Sequence, residues 1–259
     1  MIGIIYFVVI ILANTIGAVS GMGGGVIIKP LLDLIGAHSV VAVSFYSAVA
    51  VFTMSIVSTI RQVKNGVSID VKSVIALSAG AVFGGVIGNN AFEFLLEILA
   101  NERTVQMIQI VLTILTLLFA LLYSKYDWRN YTLQGWYWLL LCGLILGFLA
   151  SLLGIGGGPI NVSLLMLMFS MPIKEATVYS ICTIFFSQLA KLVTIAMTVG
   201  FYRYDLTILL YIIPAAICGG LMGATLSKVL SAEKVTTVFQ MVILIVLAIN
   251  VYNGFQLFS

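Results

Sequence analysis

The sequence predicts an all-α polytopic membrane protein made of two copies of one five-segment unit. Three observations carry this: long unbroken apolar runs, almost no charge, and a glycine motif that occurs once in each half. Hydrophobic residues make up 62% of the 259-residue chain and charged residues only 8%. A water-facing globular domain carries roughly a quarter charged residues. The runs are continuous rather than alternating, which selects helices over a transmembrane barrel. The first run begins at the initiator and meets no Lys or Arg before Lys29. A secretory leader opens on a basic region, so this run is expected to be a retained membrane helix.

Polar breaks divide the chain into segments 2–19, 24–36, 39–62, 71–91 and 104–123, then 133–153, 157–171, 174–199, 206–227 and 235–252. Of these ten expected transmembrane segments, 24–36 and 157–171 are short. At about 1.5 Å per residue they are marginal for roughly 30 Å of hydrocarbon. Each follows a glycine break: Gly21-Met22-Gly23-Gly24-Gly25 in the first half, Gly154-Ile155-Gly156-Gly157-Gly158 in the second, an offset of 154 − 21 = 133. The echo continues with Ser47 and Ser180, Gly66 and Gly200, Asp70 and Asp205, and Gln109 and Gln240.

The expected organisation is therefore a repeat over 1–123, a connecting loop over 124–132 and a second repeat over 133–259. An odd number of crossings per repeat turns the halves upside down relative to each other, as in many secondary transporters. Five crossings per half put Arg61, Lys64, Lys72, Lys125, Arg129, Lys174, Lys228 and Lys234 on one side, and Arg103 and Arg203 on the other. That bias marks the cytoplasmic side and leaves both termini outside. Re-entrant short segments, with four crossings per half, would mix the two groups. Tyr126, Trp128, Tyr131, Trp136 and Trp138 cluster near the connecting loop, as an interfacial aromatic belt would.

Consecutive glycine amides form a nest, and a helix that follows points its positive end at the same place, so each break reads as an anion cradle. Gly23, Gly24, Gly25, Gly156, Gly157 and Gly158 are the candidate amides. Pro159 fits a helix start directly after Gly158. The competing reading is tight helix packing. The third segment of each half carries a polar stripe: Ser44, Ser47, Ser55, Ser58 and Gln62 in one, and Thr183, Ser187, Lys191, Thr194 and Thr198 with Gln188 in the other. Such a stripe lines a pathway or bonds helix to helix. Lys191 stands well inside an apolar run with no acid three or four residues away, and an intramembrane charge needs a partner or water. An anionic substrate would supply one; snorkelling to the interface is the alternative. Lys29 has Asp33 four residues later and can pair locally. Asn161, three residues after Gly158, is a further candidate with Ser47 and Gln188. Asn14 and Thr15 approach the first break. His38, the only histidine, reads as a solvated loop residue. Gly80, Gly84 and Gly88, like Gly219 and Gly223, read as helix packing.

No GxxxxGK[ST] loop, no HExxH motif and no metal-ligating cysteine pair occurs, since Cys142, Cys182 and Cys218 lie singly. Catalysis, resident cofactors, metals and nucleic-acid binding are therefore not expected. The stretches Gly17-Ala-Val-Ser-Gly-Met-Gly-Gly-Gly25 and Gly154-Ile-Gly-Gly-Gly-Pro159 resemble the sulfite exporter TauE/SafE family, also called toluenesulfonate uptake permeases. The likeness runs over nearly the whole chain. It implies a multi-pass permease in a prokaryotic plasma membrane that moves sulfite, sulfonates or related sulfur-containing anions, by proton-linked or passive transport. The glycines and Pro159 carry over from the family; Lys191 and the polar stripe rest on the residues themselves. A passive anion channel of the same architecture is the alternative. Apolar faces read alike against acyl chains and against a second copy, so a homodimer stays open.

Overall fold

The computed structural model describes residues 2–64, 70–126 and 128–258. Gly66, one member of the echo, and Asp127 of the connecting loop lie outside the described residues. Among the described residues the chain forms ten α-helices and no strand: α1 Ile2–Ser20, α2 Gly25–Ile35, α3 Val40–Lys64, α4 Val71–Leu99, α5 Glu102–Lys125, α6 Trp136–Leu152, α7 Pro159–Phe169, α8 Ile173–Thr198, α9 Leu209–Val229 and α10 Ala232–Phe258. Seven of them are long and apolar enough to cross a membrane; α2, α6 and α7 are shorter. At about 1.5 Å per residue, α2 and α7 reach only half-way through a bilayer core.

The two glycine breaks end α1 and α6, and the short helices turn back from them. His38, just beyond α2, lies beside Tyr6 near the start of α1, with the Tyr6 hydroxyl 2.8 Å from Nδ1 of His38. Beyond the other break, the Leu133 amide ahead of α6 donates to the Met168 carbonyl near the end of α7 at 3.0 Å. Thus α1 and α2 form one antiparallel hairpin and α6 and α7 another, each with a glycine tip.

Helix pairings respect exchange of the halves. α1 packs along α9 as α6 packs along α4; α3 meets α9 as α8 meets α4; α2 lies on α10 as α7 lies on α5. α3 and α8 are antiparallel, because Ser44 meets Lys191 while Phe52, two turns on, stacks on Phe185 at 5.4 Å. Two hydrogen bonds repeat the relation: Tyr46 donates to the Asp205 carbonyl, and Tyr179 accepts from the Asp70 amide. The halves therefore interleave rather than stand side by side.

Glycines set the closest contacts. A methyl group on Gly80, Gly84 or Gly88 of α4 would overlap the carbonyls of Leu140, Leu144 or Phe148 of α6, and one on Gly219 or Gly223 of α9 would press on the carbonyls of Ile11 or Thr15 of α1. These are packing glycines, as their spacing predicts. Backbones approach this closely where lipid gives no hydrophobic drive between helices, so dispersion contacts and small residues hold the bundle. Overpacking costs about 1–3 kcal/mol. Gly84→Ala is expected to lower the melting temperature of the purified protein, and an unchanged Tm would refute the α4–α6 contact.

Asp70 and Asp205 cap the helices that start beside them. Asp70 accepts from the Lys72 and Ser73 amides and the Ser73 hydroxyl; Asp205 accepts from the Thr207 amide and hydroxyl. These bonds, the hydroxyl's first, hold both carboxyls below the usual carboxylate range. A depressed folded-state pKa gives stability that is present at neutral pH and lost as pH falls through the folded value. Acidification should destabilise wild type more than an Asp70→Asn/Asp205→Asn variant, as read by Tm against pH.

Candidate functional site

The two hairpin tips meet. A Cβ on Gly25 would overlap the Ile155 carbonyl, one on Gly157 would lie 3.3 Å from the Met22 carbonyl, and one on Gly23 would lie 3.6 Å from that of Gly156. Glycine is required here for two reasons. Space is one. The other is backbone: Gly21 and Gly23 have φ of 73°, and Gly154 and Gly156, at the corresponding positions, have φ of 68° and 67°. A left-handed conformation costs about 1–2 kcal/mol for a residue with a Cβ. Gly156→Ala is expected to destabilise by at least that much in a denaturation assay, because Val51 also stands 3.0 Å from the added carbon.

Val51 and Ile184, related by the same 133-residue offset, cover the tips. Val51 lies against Gly23, Gly25 and Gly156, and Ile184 against Gly23 and Gly157. Both sit near the middle of long helices, so the tips lie at the mid-height of α3 and α8. Ser47 is one turn from Val51 and Gln188 one turn from Ile184, each on the face that meets the tips.

Not all six candidate amides are available. Gly23 donates to the Gly17 carbonyl at 3.3 Å and Gly156 to that of Ala150 at 3.2 Å, closing each tip on its own helix. The remaining candidates are Gly24 and Gly25 at the start of α2, and Gly157 and Gly158 just before α7. A helix's first amides have no partner within the helix. Asn14 Oδ1 packs directly on Gly24 and, among the described residues, accepts no hydrogen bond. Asn161, 1% exposed, finds no partner among the described residues for either side-chain amide atom. The Ser47 hydroxyl and Gln188 Oε1 are likewise buried and without a partner among them. The opposite outcome holds for much of the stripe: Ser55, Thr183, Ser187 and Thr194 bond back to their own helices. Ser180 crosses over, donating to the Gly21 carbonyl at 2.6 Å.

Lys191 points inward, not to the interface. It is 1% exposed, donates to the Ser44 hydroxyl at 2.8 Å and the Ser151 carbonyl at 3.2 Å, and stands 5.7 Å from the centre of the Phe92 ring. Ser151 lies in the last turn of α6, whose negative end favours a cation. An ammonium has three donors, and these two bonds use two of them. Among the described residues the ion pairs are Lys29–Asp33 and Arg203–Glu93, so Lys191 has no carboxylate within pairing distance. Lys29 pairs with Asp33 at 2.7 Å, as the spacing predicts. Its side chain also runs to the second tip: a Cβ on Gly154 would lie 3.2 Å from Lys29 Cε and 2.5 Å from the Ser44 hydroxyl.

Sequence reasoning did not single out Ser151, Phe92 or Asn89. Asn89, buried and without a side-chain partner among the described residues, lies on α4 between Gly85, which packs on Ser187 of α8, and Phe92. A lone amide beside a packing glycine in an apolar segment was the available signal.

Helical hairpins that break at mid-height around a buried cation are an arrangement found in polytopic membrane transporters. The chain belongs to the sulfite exporter TauE/SafE family, which it matches over residues 6–251. It is also similar to the probable membrane transporter protein YunE of Bacillus subtilis strain 168, at 25% identity over 277 residues, covering 97% of this chain and 98% of that one. No solved structure matches it.

Proposed function

We propose that the protein is a secondary transporter of small sulfur-containing anions such as sulfite or organosulfonates, which bind where the two glycine tips meet. The observation that carries this is Lys191: a buried ammonium with two neutral acceptors, a spare donor and no paired carboxylate among the described residues, beside the second tip. A buried charge needs compensation, and an oxyanion offers it along with acceptors for amides of Gly24, Gly25, Gly157 and Gly158. Asn161, Ser47 and Gln188 supply uncommitted polar atoms for the same ligand.

In this reading the repeats 1–123 and 133–259, joined by 124–132, are inverted in a prokaryotic plasma membrane. The hairpins α1–α2 and α6–α7 dip in from opposite sides, and α3, α4, α5, α8, α9 and α10 cross. On this reading six segments cross where the sequence suggested ten. The sidedness survives, because a hairpin that returns to its own side changes the crossing count by two and leaves parity alone. Basic loops still gather on one side. That side also holds a cavity of about 200 Å³ beneath the connecting loop, lined by Tyr123, Trp128, Asn130, Ser163 and Phe239 among others. The corresponding place in the other half is crossed by a bond from Asn253 of α10 to the Pro30 carbonyl at 2.8 Å. The tips are close-packed under Val51 and Ile184, so rocking of one bundle against the other would open the site to each side in turn.

Binding to the folded state alone raises stability, by about 2.7 kcal/mol when ligand is at a hundred times its Kd. Purified protein should therefore melt at higher temperature with sulfite, thiosulfate, sulfoacetate or taurine than with a carboxylate control, and Lys191→Met should abolish the shift. A shift that persists in Lys191→Met moves the site elsewhere; no shift with any of these anions removes the sulfur-anion reading.

A further inference from the structure

We propose that Lys29 is the second cation of the anion site and Asp33 its built-in competitor, so that an anion binds together with a proton taken up by Asp33. The inference rests on the anion reading above and extends it to a second charge and a coupled ion. Two lysine arms converge on Gly154. Lys191 reaches it through the Ser44 hydroxyl, and Lys29 lays its terminal methylene beside it. The two ammoniums repel each other, yet only one is neutralised, by Asp33 at 2.7 Å, with both side chains of that pair 4% exposed. Among the described residues the one carboxylate in contact with the two lysines, Asp33, is committed to the lysine nearer the start of the short helix, and Glu93 of α4 is paired with Arg203 at 3.4 Å.

An arriving oxyanion makes a second claim on Lys29. While Asp33 is ionised, two negative charges would share one ammonium in a poorly screened interior, and like charges at such spacing favour protonation of one of them. A proton on the carboxyl ends the ion pair, leaves Lys29 charged and frees its donors for the ligand. No other charge moves.

Other polar groups stand on the elements around the pair. α1 presents Tyr6, buried, whose hydroxyl lies 2.8 Å from His38 Nδ1. His38 is partly exposed and lies 5.2 Å, ring to ring, from Tyr46 of α3. α10 contributes the uncharged amide of Asn253, and α8 contributes Lys191. His38 is not merely a solvated loop residue. The second half has no such device: 133 residues on, Lys29 corresponds to Val162 and Asp33 to Met166.

The probe is 2-hydroxyethanesulfonate, whose charge is fixed across the acidic range, titrated calorimetrically into the purified full-length protein at a series of acidic pH values, where both lysines carry their charge. The expected result for wild type is a Kd that rises about tenfold per pH unit, the slope of one proton taken up on binding. Asp33→Asn should bind with the wild type's acid-limit affinity at every pH. Lys29→Met/Asp33→Leu removes the pair as a whole and guards against misfolding of the single variant; it should be pH-independent and at least tenfold weaker than wild type at acid pH. A pH-independent wild type, a pH dependence that survives in Asp33→Asn, or full affinity in the double variant would overturn the proposal while leaving the anion site standing. No binding at any pH would overturn the anion site, and this inference with it.

Discussion

A backbone amide in hydrocarbon must have a partner, and the structure is organised by how two broken helices meet that requirement. Each glycine tip closes partly on itself, Gly23 on Gly17 and Gly156 on Ala150. The tips then shield one another, with carbonyls of Met22, Ile155 and Gly156 within van der Waals reach of the opposite glycines. Only glycine permits both the left-handed turns and that approach. Neither tip would be tolerable alone in lipid, so the two halves must interleave. The pairing of α1 with α9 and of α6 with α4 brings them together.

The same logic explains how a charge survives at this depth. Lys191 is held by a hydroxyl, by a carbonyl at the negative end of α6 and by an aromatic face. Each is neutral, so the ammonium is solvated without being cancelled. A buried carboxylate would have satisfied it more completely and left nothing for a ligand. Lys29 is the contrasting case, fully paired in place. One cation is solvated and the other neutralised within reach of the same glycine, and that contrast gives the site its chemistry.

The ten helical segments, the breaks and the packing glycines were legible because each has a local cause: apolar run length, consecutive glycines before a proline, and small residues four apart. Helix bounds fall within a few residues of the apolar runs, except that α4 and α10 extend further at their ends. The hairpins were not legible. A segment of eleven residues is compatible with turning back or with going on, and only long-range contacts such as Tyr6 with His38 decide. Of the site, Lys191 announced itself by the cost of burying it. The convergence of Ser44, Ser151 and Lys29 upon it could not be read, because they come from three other helices and share no spacing. Neither reading of the polar stripe included what several of its hydroxyls do, which is to bond to the preceding turn of their own helix.

The duplication is faithful in backbone and unfaithful in charge, and that asymmetry bears on mechanism. Two inverted copies of equal chemistry would make states open to either side nearly equal in energy, related by exchange of the halves. Here the residues offset by 133 from Lys29, Asp33 and Lys191 are Val162, Met166 and Ser58. The charged cluster belongs to one end of the molecule, around the second tip and the helix that leads away from the first. In the proposed alternating cycle, opening that end would expose three charges to water, whereas opening the other would expose none of them. Charges gain on hydration, so the two proposed states would differ before any substrate arrives, and a ligand would shift the balance only through its different affinity for each. In the proposed cycle, a neutralising anion bound between the tips would lower the cost of keeping the cluster buried and so favour the state that an empty site disfavours.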